Sequence, residues 1–176
     1  RSDGALRRPD VCRPLAAARR SKRPDLEALS LYRLAEAQFR QRTNEEAAKT
    51  ATQAIRAYRK LRNPLGEGRA WWALSAARSS QGRAYEANRA ASQALTLARR
   101  SGDLFGLGNA TNILTFNEPD IAVALRLLRR SLAAFEAAGY VERQGIITHN
   151  LGNAYSDLGL HRRARRLFLQ ASATYR

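Results

Sequence analysis

Methionine is missing from all 176 residues, cysteine occurs once and histidine twice. The lone Cys12 cannot close an intrachain disulfide, which fits a chain kept in a reducing cytoplasm, and we expect it to be an unreactive helical residue. Nowhere do 18 apolar residues follow one another, so the sequence holds no candidate membrane-spanning helix. The opening Arg1-Ser2-Asp3-Gly4 has neither an initiator methionine nor the apolar core of a signal peptide. With methionine absent throughout, we expect the chain to be an excerpt of a longer protein.

Groups that carry chemistry are equally scarce. His149 and His161 fall in different predicted helices, with no carboxylate at metal-ligand spacing. Ser156 and Asp157 stand near His149, but all three share one predicted helix and no oxyanion donor accompanies them. Gly102, Gly106 and Gly108 are not preceded by a strand, and no Gly-Lys-Ser/Thr follows, so they do not form a phosphate loop. The expectation is a non-enzyme with no catalytic residues, no metal and no cofactor.

What the chain has in excess is positive charge. Lys and Arg total 31 against 15 Asp and Glu, a net +16, and only Lys22, Lys49 and Lys60 are lysines. Such a field attracts acidic partners: anionic protein segments, nucleic acid or lipid head groups. The charge is uneven. Residues 1–26 carry eight basic and three acidic side chains, whereas 104–140 carry three of each. Arg162, Arg163, Arg165 and Arg166 wrap most of a helix turn, as an anionic docking site or as a solvated outer face.

Sliding the chain on itself uncovers a repeat. At a shift of 40, Leu31 meets Trp71, Leu34 meets Leu74, and Ala47, Ala51 and Ala54 meet Ala87, Ala91 and Ala94. At 77, Gly68 meets Gly145, Leu74 meets Leu151, Gly82 meets Gly159, and Ala87 meets Ala164. A third copy aligns Gly108 with Gly145 at 37 but Ala124 with Ala164 at 40, so it has lost three residues around Asn117-Glu118-Pro119-Asp120.

Within each copy, apolar residues recur every three or four positions, the period of an amphipathic helix. We expect helices over 10–22, 25–41, 44–62, 65–81, 84–101, 104–116, 119–138, 141–158 and 161–176. Asn44 serves as an N-cap, Pro119 marks a helix start, and Gly82, Gly102, Gly139 and Gly159 mark the breaks. The small face of Ala47, Ala51 and Ala54 allows close helix approach, and one hairpin alone cannot bury both of its faces. The class is all-α, with residues 1–24 ending a partial repeat and copies over about 25–64, 65–103, 104–140 and 141–176.

The string Asn150-Leu151-Gly152-Asn153-Ala154-Tyr155, followed by Leu158-Gly159, Ala164, Phe168 and Ala171, resembles the tetratricopeptide repeat. Trp71, Leu74 and Ala87 match the same pattern in the second copy, while Ser75, Arg78, Leu31 and Gln38 depart from it. The 40-residue spacing is similar to that of kinesin light chains, G-protein polarity adaptors and bacterial regulators of this family. The resemblance implies a right-handed superhelical α-solenoid of stacked antiparallel helix hairpins, with the first helices lining a concave groove for a protein or peptide.

The family geometry implies a groove lined by Tyr32, Arg33, Glu36, Arg69, Trp72, Asn109, Asn112, Phe116, His149, Asn150 and Asn153. One equivalent position carries Tyr32, Trp72, Asn112 and His149 in successive copies. Aromatic rings there supply contact area and amides pair with a peptide backbone, or else Trp72 packs between repeats and the amides are merely solvated. Glu36 sits where chaperone-tail clamps of this family carry a cation, which argues against a carboxylate-terminal peptide. The expected function is a scaffold that binds an acidic peptide or helix, or another domain of the parent, in signalling or regulation. The alternative is nucleic-acid binding by a basic helical repeat, against which we weigh the scatter of the basic residues over both helices of each copy.

Overall fold

A computed structural model describes residues 13–174. Among them the chain forms α1 (Arg13–Arg20), α2 (Pro24–Arg40), α3 (Asn44–Lys60), α4 (Pro64–Ser80), α5 (Ala84–Ser101), α6 (Leu104–Thr115), α7 (Ile121–Ala137), α8 (Val141–Asp157) and α9 (His161–Ala173), with no strand. Each helix packs on the next, so α2/α3, α4/α5, α6/α7 and α8/α9 are antiparallel hairpins. The first helices α2, α4 and α6 also pack side by side. The molecule is an all-α solenoid. Cys12 and residues 10–12 of the first expected helix lie outside the described residues, as do Tyr175 and Arg176.

Local chemistry explains most of the boundaries. Pro24 and Pro64 occupy the first helical position, where a missing N–H costs nothing. Asn63 caps α4 by accepting from the Gly66 amide at 2.9 Å. Two start signals act differently from the sequence reading. Asp120 is the cap of α7, accepting from Ala122 and Val123 at 2.8 and 3.3 Å, so Pro119 lies just outside the helix. Thr43 holds the N-cap position of α3, and Asn44 is its first helical residue with a buried, unpartnered Oδ1.

The turns share one geometry. Gly82, Gly102, Gly139 and Gly159 all adopt left-handed φ, between 67° and 72°. Lys22, Arg42 and Arg62 take the same conformation at φ 51°, 61° and 51°, where a side chain is crowded against its own backbone. Arg62 and Gly102 occupy equivalent turns of successive copies, so the repeat dictates the conformation whichever residue stands there.

Alanine makes the core. Ala47, Ala51 and Ala54 of α3, and Ala87, Ala91 and Ala94 of α5, are fully buried. Glycine permits closer contact still: a Cβ on Gly108 of α6 would lie 2.7 Å from the Phe135 ring of α7. Buried residues fall into two main groups. One runs through α2 to α6, from Ala28 to Ile113; the other joins Leu128, Phe135, Ile147, Leu151 and Ala154 of α7 and α8. The three residues lost from the third copy appear as a short α6, 12 residues against 17 in α2, α4 and α8.

Candidate functional site

The equivalent row Tyr32, Trp72, Asn112 and His149 lies on successive first helices, and its exposure changes along the stack. Tyr32 is only 2% and Trp72 6% exposed. Asn112 is half-buried and His149 is exposed. The trend has a physical cause. The ring of Trp72 meets Phe105 of the next first helix edge-on, with centroids 6.5 Å apart. Asn112 accepts a hydrogen bond from Asn150 Nδ2 of α8 at 3.0 Å. The His149 ring stands against Phe168 of α9, 5.1 Å away.

Four of the expected groove residues therefore need correction. Tyr32, Trp72, Glu36 and Asn109 are all below 7% exposed and offer a partner almost no surface. The neighbouring first helix covers Trp72, Asn109 bonds back to the Phe105 carbonyl at 3.0 Å, and Glu36 is engaged by Arg33 at 2.9 Å. Still accessible to differing degrees are Arg33, Arg69, Asn112, Phe116, His149, Asn150 and Asn153. Phe116 is 54% exposed, at the C-cap of α6.

The contacts converge on residues absent from the sequence expectation. Phe105, in the first turn of α6, touches Trp72, Phe135 and Tyr140, with ring centroids 6.5, 6.1 and 4.7 Å apart. Two guanidiniums lie over its ring: Arg69 of α4 at 5.4 Å and Arg143 of α8 at 5.5 Å. Arg143 also covers Trp72 at 5.7 Å, and Arg33 covers Tyr32 at 5.4 Å. Arginines of α2, α4 and α8 thus rest on rings of α2, α4 and α6, an arrangement favoured by the negative face of an aromatic ring. The signal for Phe105 was faint in the sequence, because its equivalent in the second copy is Leu65. Arg143 stands where that copy has Gly66.

The electrostatics separate held cations from available ones. Arg69 donates twice to Asp103, Nε to Oδ2 at 2.8 Å and Nη2 to Oδ1 at 3.0 Å. Those hydrogen bonds push the Arg69 pKa up, with partial burial opposing and the Asp103 charge reinforcing. Burial also pushes the Tyr32 phenol up, and the adjacent Glu36 carboxylate adds to it. Tyr58 is likewise raised by burial, against the fields of Arg33 and Arg69. Arg143 pairs with no carboxylate among the described residues. No group of three His, Cys, Asp or Glu among the described residues could hold a metal ion, and no helix there is long and apolar enough to cross a membrane.

Solved structures give the arrangement its context. The chain is similar to BtubC (BKLC) from P. vanneervenii, at TM-score 0.70 and 17% identity, over 94% of this chain and 70% of that one. It is similar to the apo form of RapI, at TM-score 0.72 and 10% identity over 93% and 68%. The TPR-like repeats of a kinesin light chain from Podosopora anserina match at TM-score 0.62 and 18% identity over 93% and 82%. The fold is a TPR-like solenoid. At these identities the likeness carries the architecture alone. No family model matches the chain, and no curated protein matches it in sequence.

Proposed function

We propose that the chain is a non-catalytic protein-recognition module, part of a larger regulatory or signalling protein, that takes an extended acidic segment across its first helices. The segment belongs to a partner protein or to another domain of the parent. The observation that supports this is the Arg143 guanidinium, laid on Phe105 and Trp72 beside the carboxylate-held Arg33 and Arg69. A ring under a guanidinium holds it flat at little entropic cost and leaves its N–H edges turned to an incoming carboxylate. Of the arginines on these rings, Arg143 is the one that pairs with no carboxylate among the described residues, and Asn150, Asn153 and His149 extend the same helix with groups that pair with a peptide backbone.

The test is selection of a displayed peptide library against the protein, followed by calorimetric titration of the recovered peptides. Peptides rich in Asp and Glu are expected, and Arg143→Ala should weaken them by about tenfold, the loss of one charge-assisted contact. Recovery of no peptide, or of peptides indifferent to Arg143→Ala, refutes the reading.

One observation favours a second reading, the net charge of +16. A nucleic-acid-binding solenoid would lose affinity for RNA or DNA steeply with salt. A basic residue does recur at one exposed position of each second helix, Lys49, Arg89, Arg126 and Arg166; against the reading, the exposed Arg129, Arg130, Arg162 and Arg163 have no basic equivalent in the other copies. Absence of retention on either nucleic acid at low salt disposes of it.

A further inference from the structure

Equivalent places in the second and fourth copies differ in charge. In the second copy, Arg78 of α4 lies between two acids: its Nε is 3.1 Å from Glu86 of α5 and its Nη1 is 3.7 Å from Glu45 of α3. A shift of 77 residues places Tyr155 on Arg78 and Arg163 on Glu86. The fourth copy has thus exchanged a cation neutralised by its neighbours for a phenol flanked by cations. Arg129 Nη2 of α7 donates to Tyr155 Oη at 2.7 Å, and the Arg163 guanidinium of α9 covers the Tyr155 ring at 4.4 Å.

These groups border a cavity of about 420 Å³, walled by α7 and α9 and floored by α8. Arg129, Arg163 and Arg166 line it together with Tyr155, Leu151 and Leu167, and no carboxylate does. Nor do the three arginines pair with a carboxylate elsewhere among the described residues. The contrast with the groove between α1 and α3 is instructive, since that one contains Glu27, already bonded to Arg19 at 2.9 Å. Because Tyr155 accepts from Arg129, its own O–H remains to donate into the cavity.

We propose that the Arg129–Tyr155–Arg163–Arg166 cavity is a binding site for a phosphate monoester or inorganic phosphate, separate from the first-helix face. Two observations fix the placement of its donors. Tyr155 is buried and anchors Arg129 through its hydroxyl and Arg163 through its ring face. Arg166 follows Arg163 by three residues, which sets it on the same face of α9. A tetrahedral oxyanion with several acceptor oxygens satisfies guanidinium donors arriving from different directions, plus the phenol, better than a planar carboxylate can.

The experiment titrates the protein with inorganic phosphate by calorimetry at constant ionic strength, and repeats this with a short phosphoserine peptide. Arg163→Glu restores the acid that the second copy carries, Arg129→Gln removes the tyrosine-anchored donor, and Arg165→Gln removes an exposed charge of α9 outside the cavity. Circular dichroism checks the fold of each. Saturable one-site phosphate binding is expected, weakened about tenfold by Arg163→Glu and by Arg129→Gln and unchanged by Arg165→Gln. A phosphopeptide bound more tightly than phosphate assigns the ligand to a modified protein side chain; equal binding assigns it to the free ion. Binding that does not saturate, or that Arg165→Gln weakens as much as Arg163→Glu does, overturns the proposal, since either reports the general positive field alone.

Discussion

Arg69 and Asp103 grip each other through two parallel hydrogen bonds, 2.8 and 3.0 Å long, across 34 residues of sequence. Asp103 stands at the N-cap of α6, yet its side chain makes no capping bond and reaches back to α4 instead. The pair ties one hairpin to the next where their first helices meet. Asp103 has a side chain only 5% exposed, so removing its partner strands a buried carboxylate. Arg69→Ala is expected to cost about 2–3 kcal/mol, below the range for fully buried pairs because Arg69 is itself partly exposed. Urea denaturation followed by circular dichroism measures it; a loss under about 0.5 kcal/mol would mean the pair is no stronger than a surface ion pair.

Trp72 should behave as a core residue. Trp72→Ala leaves a void between α4 and α6 and is expected to destabilise by about 3–5 kcal/mol, whereas a ring-preserving Trp72→Phe costs much less. Thermal melts of the two variants give the comparison. Equal melting temperatures for Trp72→Ala and the parent would return Trp72 to the partner-facing surface.

The left-handed turns predict a stabilising change. Arg62 has φ 51° where the equivalent Gly102 has 67°. Arg62→Gly releases the crowding of Cβ and should raise stability by about 0.5–1 kcal/mol, while Gly102→Ala should lower it by a similar amount. Both are read from denaturation midpoints, and a destabilising Arg62→Gly would contradict the assignment.

Alkali should act through buried phenols. The folded pKa of Tyr32 and that of Tyr58 are raised above the unfolded value, so folding favours their neutral forms. Their contribution is complete below the unfolded tyrosine pKa of about 10 and is lost as pH rises above it. The tyrosinate absorbance is therefore expected to rise late, with a step that coincides with unfolding. Tyr32→Phe should reduce that step; an unchanged step would place the effect elsewhere.

Much of this architecture can be read from the sequence, because spacing of alanine, leucine and glycine is a local property. The faces of Ala47, Ala51 and Ala54, the breaks at Gly82 and Gly159, and the deletion before α7 needed no knowledge of distant contacts. The surface was harder to read. Tyr32 and Trp72 have the spacing of groove residues, but their exposure depends on how closely α4 and α6 approach, which alanine content sets jointly on two helices. Phe105 and Arg143 lie in the first turns of α6 and α8, and their equivalents in the second copy, Leu65 and Gly66, share neither ring nor charge.

The short α6 has an effect on how the array holds together. Direct packing of first helices runs from α2 through α4 to α6, while Asn150 on Asn112 and Arg143 on Phe105 are the contacts that carry it on to α8. The division of the buried residues follows the same seam, one group through α2 to α6 and the other centred on α7 and α8. In a solenoid, stability is a chain of neighbour-to-neighbour couplings, and a missing turn of helix weakens one of them. Backbone amides of α8 and α9 should accordingly exchange their hydrogens through openings that leave α2 to α5 closed, making that hairpin the more ready to yield of the two sides of the seam.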